Sequence, residues 1–278
     1  MAFLHTRPLN NDISRWAIPA RSERLTLSLD RLYQKYKQCM VQIRSEKQNG
    51  QHVVGAGFHI GDGYVVTARH VVDQGAAVSL LGGPHNWGKK SVRKSFLPSD
   101  PAVDLALLET DFNLEAYMTR TTIVGQPPED KVDHVPIGAH LDDWLGDELV
   151  MTKALLMGYP PIPLARGSSD YPLPVAVEAE INAVIDRREA PHPHFVVSTI
   201  PRHGFSGGPL ISQHDVLLGV LTVSLFLAGQ PVELGYAAAL SVEPLWNLLH
   251  ENRVYPASNA EFLREVYDGI EPEQETLR

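Results

Sequence analysis

A serine set among glycines occupies Gly204-Phe205-Ser206-Gly207-Gly208-Pro209-Leu210, with His203 just before it and the apolar pair Leu210-Ile211 closing it. Glycine permits backbone turns that a Cβ forbids, and it lets main-chain N–H groups crowd round whatever meets the serine hydroxyl. A serine that adds to a carbonyl needs this, because two converging N–H donors must receive the oxygen that becomes negative. The same stretch is also an ordinary surface turn, so it becomes chemical only with a base in reach. His70 follows the apolar run Tyr64-Val65-Val66-Thr67, and Asp104 heads a second one, Leu105-Ala106-Leu107-Leu108. A carboxylate at the head of a buried apolar segment is costly unless its charge is paired, and a histidine meets that cost. Acyl transfer by serine requires a base for the hydroxyl proton and an acceptor that fixes the imidazole and stabilises its protonated form. Each residue alone also has a plain structural reading: core histidine, strand-capping aspartate, turn serine.

The elements that must carry these residues are mostly short strands. Met40 and Ile43, then Val53–Ile60, read as strands, with a tight turn at Gly61-Asp62-Gly63 where Asp-Gly supplies positive φ cheaply. Tyr64–Thr67 begins a strand expected to run on through Ala68-Arg69-His70-Val71-Val72. Further strands are expected at Ala77–Leu81, Val103–Leu108, Leu149–Gly158, Val175–Ile185, Phe195–Ile200, Val216–Leu227 and Tyr236–Leu240. Lys89–Lys94 is a basic run that reads as a solvated strand face, and Asp111–Lys131 reads as loop. Many short strands punctuated by Gly and Pro predict an all-β sandwich or barrel. Helices frame them. Ser22 caps one expected through Gln38, with Leu25, Leu29, Leu32 and Tyr36 on one face; Ser241 caps a second, and a third runs Asn259–Asp268 before a frayed tail at Glu271–Arg278.

The chain has 278 residues and a formal net charge of −9. That acidity argues against a general nucleic-acid binder. No run reaches the length of a membrane span, and Met1–Trp16 carries no apolar signal core. A single cysteine, Cys39, excludes an intrachain disulfide and fits a reducing, cytoplasmic setting, where it reads as a small buried apolar residue. His192 and His194 are spaced for a metal, but Pro191 and Pro193 make that stretch a loop and further ligands are wanting, so no metal or other cofactor is expected.

Thr67-Ala68-Arg69-His70, Asp104-Leu105-Ala106-Leu107 and Gly204-Phe205-Ser206-Gly207-Gly208-Pro209 together resemble the three signature segments of the trypsin/chymotrypsin-like serine peptidases. The likeness is nearest to bacterial, disulfide-free members such as the Deg/HtrA protease domain, supported by Gly55-Ala56-Gly57-Phe58, Gly63-Tyr64-Val65-Val66-Thr67 and Gly235-Tyr236-Ala237-Ala238. It covers about Cys39 to His250. The resemblance implies two six-stranded antiparallel β-barrels, split near residues 130–150 of a domain spanning 39–250. An N-terminal extension (1–38) with its helix would precede that domain, and a C-terminal helix and tail (251–278) would follow, too short for a PDZ domain. It implies Ser206 as nucleophile, His70 as base then acid, Asp104 as its orienter, and the N–H groups of Gly204 and Ser206 as oxyanion hole.

By the same resemblance, Thr222-Val223-Ser224 would bind substrate backbone and wall the primary pocket, with Thr222 supporting Asp104. Thr199 and Ile200 would form the pocket base, and Ala237 would stand opposite. No carboxylate falls there, so a small or aliphatic P1 residue of a protein or peptide substrate is expected rather than Arg or Lys. His203 stands at the cleft lip or is a surface residue. Many secreted relatives carry an aspartate just before the serine that pairs with a newly cut N-terminus. Phe205 occupies that position, so activation by that route is not expected, and either the loop is ordered as made or contact with a regulatory partner or with substrate orders it. Two other functions remain open: a silent binding or scaffold module on the same fold, and a hydrolase of small esters.

Overall fold

The computed structural model describes residues 26–47, 51–73, 77–82, 88–114, 132–137, 147–162, 172–186, 190–199, 203–226 and 233–256. Runs rich in Val, Ile, Leu and Ala form twelve strands among them, each bounded by Gly, Pro, Asp or polar turns. The first six are β1 (Met40–Glu46), β2 (His52–Gly61), β3 (Tyr64–Thr67), β4 (Ala77–Gly82), β5 (Lys89–Phe96) and β6 (Ala106–Thr110). They close as an antiparallel barrel in the order β1-β2-β3-β6-β5-β4. The second six are β7 (Lys153–Gly158), β8 (Val175–Ile185), β9 (His194–Ser198), β10 (Pro209–Ser212), β11 (Leu217–Phe226) and β12 (Glu233–Ser241). They close in the order β10-β11-β12-β9-β8-β7. Two six-stranded antiparallel barrels are therefore the architecture, as expected, and closure leaves neither sheet an open edge.

Strand alternation distributes the apolar residues between two cores. Val41, Ile43, Val65, Ala106 and Leu108 fill the first barrel. Their neighbours Met40, Val66, Leu105 and Leu107 belong instead to a larger cluster shared with Leu155, Met157, Phe205 and Leu210 of the second. Successive side chains on a strand point to opposite faces, so a strand buried on both sides reads as an unbroken apolar run. That is why Leu105–Leu108 shows no alternation.

Among the described residues three α-helices flank the barrels: α1 (Leu29–Tyr36), α2 (Arg69–Val72) and α3 (Glu243–Glu251). The cap of α1 is Ser28, whose hydroxyl accepts from Arg31 N at 3.3 Å, not Ser22. Leu32 and Tyr36 are the buried face of that helix. It is fastened to the second barrel at the β10–β11 turn. Leu27 N–H donates to Gln213 O at 2.8 Å, Tyr36 OH donates to Asp215 Oδ1 at 2.7 Å, and Lys35 pairs with Asp215. Cys39 is fully buried, as expected, and its thiol donates to Val132 O at 3.2 Å.

Three local expectations need correction. The strand from Tyr64 stops at Thr67; Ala68 is still extended, and Arg69–Val72 form one helical turn. The sixth strand begins at Ala106, so Asp104 precedes it, in a turn tied by Val103 N–H to Asp100 O at 3.2 Å and Leu105 N–H to Val103 O at 2.9 Å. Ser241 is also the last residue of β12 rather than the cap of α3, because its extended backbone is still paired with Gly219. The helix expected at Asn259–Asp268, the tail after it, Ile200 and most of Asp111–Lys131 lie outside the described residues.

Candidate active site

The turn of α2 sets the histidine. Val71 is buried behind it and seats on Gly55 of β2, where a Cβ would stand 2.6 Å from both Val71 methyls. Only glycine leaves room for that contact. His70 is thereby turned outward, with its side chain 42% exposed. Asp104 meets it twice: His70 N–H donates to Oδ1 at 2.9 Å, and His70 Nδ1 lies 2.7 Å from Oδ2. An Nδ1–H donated to the carboxylate leaves Nε2 with its lone pair, the tautomer a base needs.

Arg69 links the loop carrying Asp104 to the helix carrying His70. Its guanidinium reaches Pro98 O at 3.2 Å and Asp73 Oδ2 at 3.2 Å. Nothing in its sequence position beyond adjacency to His70 signals that role.

The serine loop lies across both barrels. On the first side, Ala56 N–H of β2 donates to Ser206 O at 2.8 Å, and Thr67 Oγ1 donates to Ala56 O at 2.7 Å. On the second, Tyr159 N–H donates to Gly204 O and Gly207 N–H to Leu221 O, each at 2.8 Å. Gly204 adopts φ +98°, a region that L-residues avoid. Neither the Gly204 nor the Ser206 N–H is donated to a described residue. Among the described residues no hydrogen bond joins Ser206 Oγ to the imidazole. Ala56, Gly158 and Tyr159 are the contributors that sequence reading did not single out for these tasks, because their contacts to the loop are distant in sequence.

The residues expected to bind substrate follow the loop. Thr222, Val223 and Ser224 lie on β11, with Ser224 opposite Ala237 of β12. Ala237 is fully buried, Val223 is exposed, and Thr199 is half-buried just past β9. Thr222 sits at a bulge between Leu221 and Val223, and its hydroxyl donates to Ala238 O at 3.3 Å. The two hydrogen bonds to Asp104 both come from His70, not from Thr222 as the resemblance implied. His203 is exposed. His194 Nδ1 turns to the His192 carbonyl at 2.8 Å, and the described residues hold no group of three or more potential metal ligands.

Residues 55–220 match the trypsin-like peptidase domain family. Among curated protein sequences, none matches significantly. Solved structures share the fold at low identity. The active form of the Rv3671c protease from M. tuberculosis is 21% identical, with 77% of this chain and 81% of that chain covered and a TM-score of 0.50. A serine endoprotease from Yersinia pestis is 17% identical over 83% of this chain and 68% of that one, at a TM-score of 0.54. The HtrA-type protease AlgW, solved with a tripeptide, is 15% identical over 84% of this chain and 64% of that one, at 0.56.

Proposed function

The chain belongs to the trypsin-like peptidase family, and from that footing we propose that this serine endopeptidase works through His70, Asp104 and Ser206 by way of an acyl-enzyme. The observation that carries the reading is the doubly bonded His70–Asp104 pair beside a serine loop hung on Ala56. Ser206 Oγ attacks the scissile carbonyl carbon while His70 Nε2 takes its proton. The negative oxygen of the tetrahedral adduct accepts from the Gly204 and Ser206 N–H groups, and the imidazolium is stabilised by Asp104. The C–N bond then breaks as His70 returns the proton to the leaving amine. Water, deprotonated by the same nitrogen, releases the acid and restores the serine. The absence of a Ser206–imidazole hydrogen bond among the described residues fits a resting enzyme, since such hydrogen bonds commonly form or tighten only when substrate binds.

For specificity we propose small or aliphatic P1 residues, supported by fully buried Ala237 and by the uncharged Thr199. A reducing compartment is supported by the lone buried Cys39. No described helix is long and apolar enough to cross a membrane.

The test is labelling by a fluorescent organophosphonate, wild type beside Ser206→Ala, then cleavage profiling on a peptide library and on matched esters. Label on wild type alone, with cuts after Ala, Val or Leu, is expected. Wild type that stays unlabelled would turn the reading toward a silent scaffold, and label with ester but no peptide turnover toward a small-ester hydrolase.

A further inference from the structure

Phe205 stands directly before the proposed nucleophile and is 3% exposed. Its ring rests on the main chain at the end of β7: a Cβ built on Gly158 would lie 2.7 Å from Phe205 Cα, Cγ and Cδ1. The residues on either side of that contact are hydrogen-bonded in register with it. Tyr159 N–H donates to Gly204 O at 2.8 Å, and Gly208 N–H donates back to Phe205 O at 2.9 Å. At Gly204 a Cβ would come 2.2 Å from Tyr159 O, so the turn lies flat against the Gly158–Tyr159 backbone. The ring also belongs to the apolar cluster that includes Met157, Tyr159 and Phe195. A carboxylate in so closed a place would need a cation brought to it. A phenyl ring needs none.

We infer that Phe205, seated on Gly158, is the positioning residue of the oxyanion loop, holding the Gly204 and Ser206 N–H groups in direction by apolar contact instead of an ion pair. The inference rests on the reading of Ser206 as nucleophile. It makes the loop's order a property of the chain as made, independent of any cut near the N-terminus. It also makes the absence of a side chain at Gly158 part of the device.

A double-mutant cycle tests this with Gly158→Ala, Phe205→Ala and the pair, read as kcat and KM on one peptide and as the phosphonate labelling rate. Gly158 is not in a left-handed conformation, so alanine there is opposed by Phe205, through its ring and its Cα, and not by its own backbone. Each single substitution is expected to lower kcat on the order of 10²-fold, the scale of a displaced oxyanion donor, with KM changed less than about threefold. In the Phe205→Ala background the added Gly158→Ala should cost several-fold less than it does in wild type, because the ring it would strike is gone and only the contact with the residue 205 Cα remains. Phe205→Leu should return kcat to within about tenfold of wild type. Near-wild-type kcat in Gly158→Ala, or the same further loss in both backgrounds, overturns the inference. An inert wild type would instead count against Ser206 as nucleophile. The seat is then read in Ser206→Ala protein by hydrogen exchange of the Tyr159 amide: Phe205→Ala should speed it about tenfold or more, and unchanged exchange overturns the seat.

Discussion

Asp104 spends both carboxylate oxygens on one residue, the backbone and the ring of His70. An amide there could keep one contact but would favour the wrong imidazole tautomer. Asp104→Asn should therefore lower kcat by roughly 10³–10⁴-fold at neutral pH while KM stays within a few-fold. Steady-state kinetics decide it, and a loss confined to KM would mean that Asp104 shapes binding instead. A second histidine matters for stability rather than turnover. Burial on β2 pushes His59 down from its ordinary value of 6.5 to about 4, against an opposing pull from Asp133. Between those values the unfolded chain binds a proton that the folded chain refuses, so stability is full above about pH 6.5 and falls as pH drops toward 4. The fall amounts to roughly 3 kcal/mol. His59→Gln should flatten urea midpoints measured across that window; an unchanged acid slope would show that other groups set it.

At the scale of elements, the most consequential is the single turn α2. Its residues Val71 and Val72, with Ala68 just before it, continue the apolar character of β3, and four helical residues are too few to show a period near 3.6. The chain there reads as more strand, although the motif around His70 is plain. Thr222 was less legible still, since a bulge is a relation between two strands and leaves no mark on either alone. Arg69 is invisible for the same reason: its carbonyl partner at Pro98 is supplied by another loop. Arg69→Ala should reduce kcat by about tenfold through a looser Asp104 loop, and Arg69→Lys should recover only part, because lysine cannot reach two acceptors in a fork. Comparing both variants on one substrate checks this. The docking of α1 makes a separate claim. Tyr36→Phe removes a buried hydroxyl that donates to Asp215, and should cost about 1–2 kcal/mol, seen as a melting point lower by a few degrees. An unshifted melting point would show that Lys35 alone carries the contact.

Across the whole molecule, an all-β architecture was legible because strand-length apolar runs and Gly/Pro punctuation recur from Met40 to Ser241, whereas its division into two six-stranded barrels was implied only by the family resemblance. What could not be read was how the barrels share their apolar residues. Leu107 and Leu108 are chemically alike, yet one faces the second barrel's cluster and the other its own barrel's interior. Only closure decides which. The proposed triad has the same character: the three residue types and their order were visible, whereas the hydrogen bond from Ala56 to Ser206 O was not.

That last bond has a mechanical meaning. The main chain at Ser206 is gripped by one lobe through its own carbonyl and by the other through the residues on either side, so it spans the seam like the wire of a fuse. Prying the lobes apart would snap this wire while each lobe remained intact. Under rising hydrostatic pressure, turnover should cease at a lower threshold than the one at which circular dichroism loses its β signal.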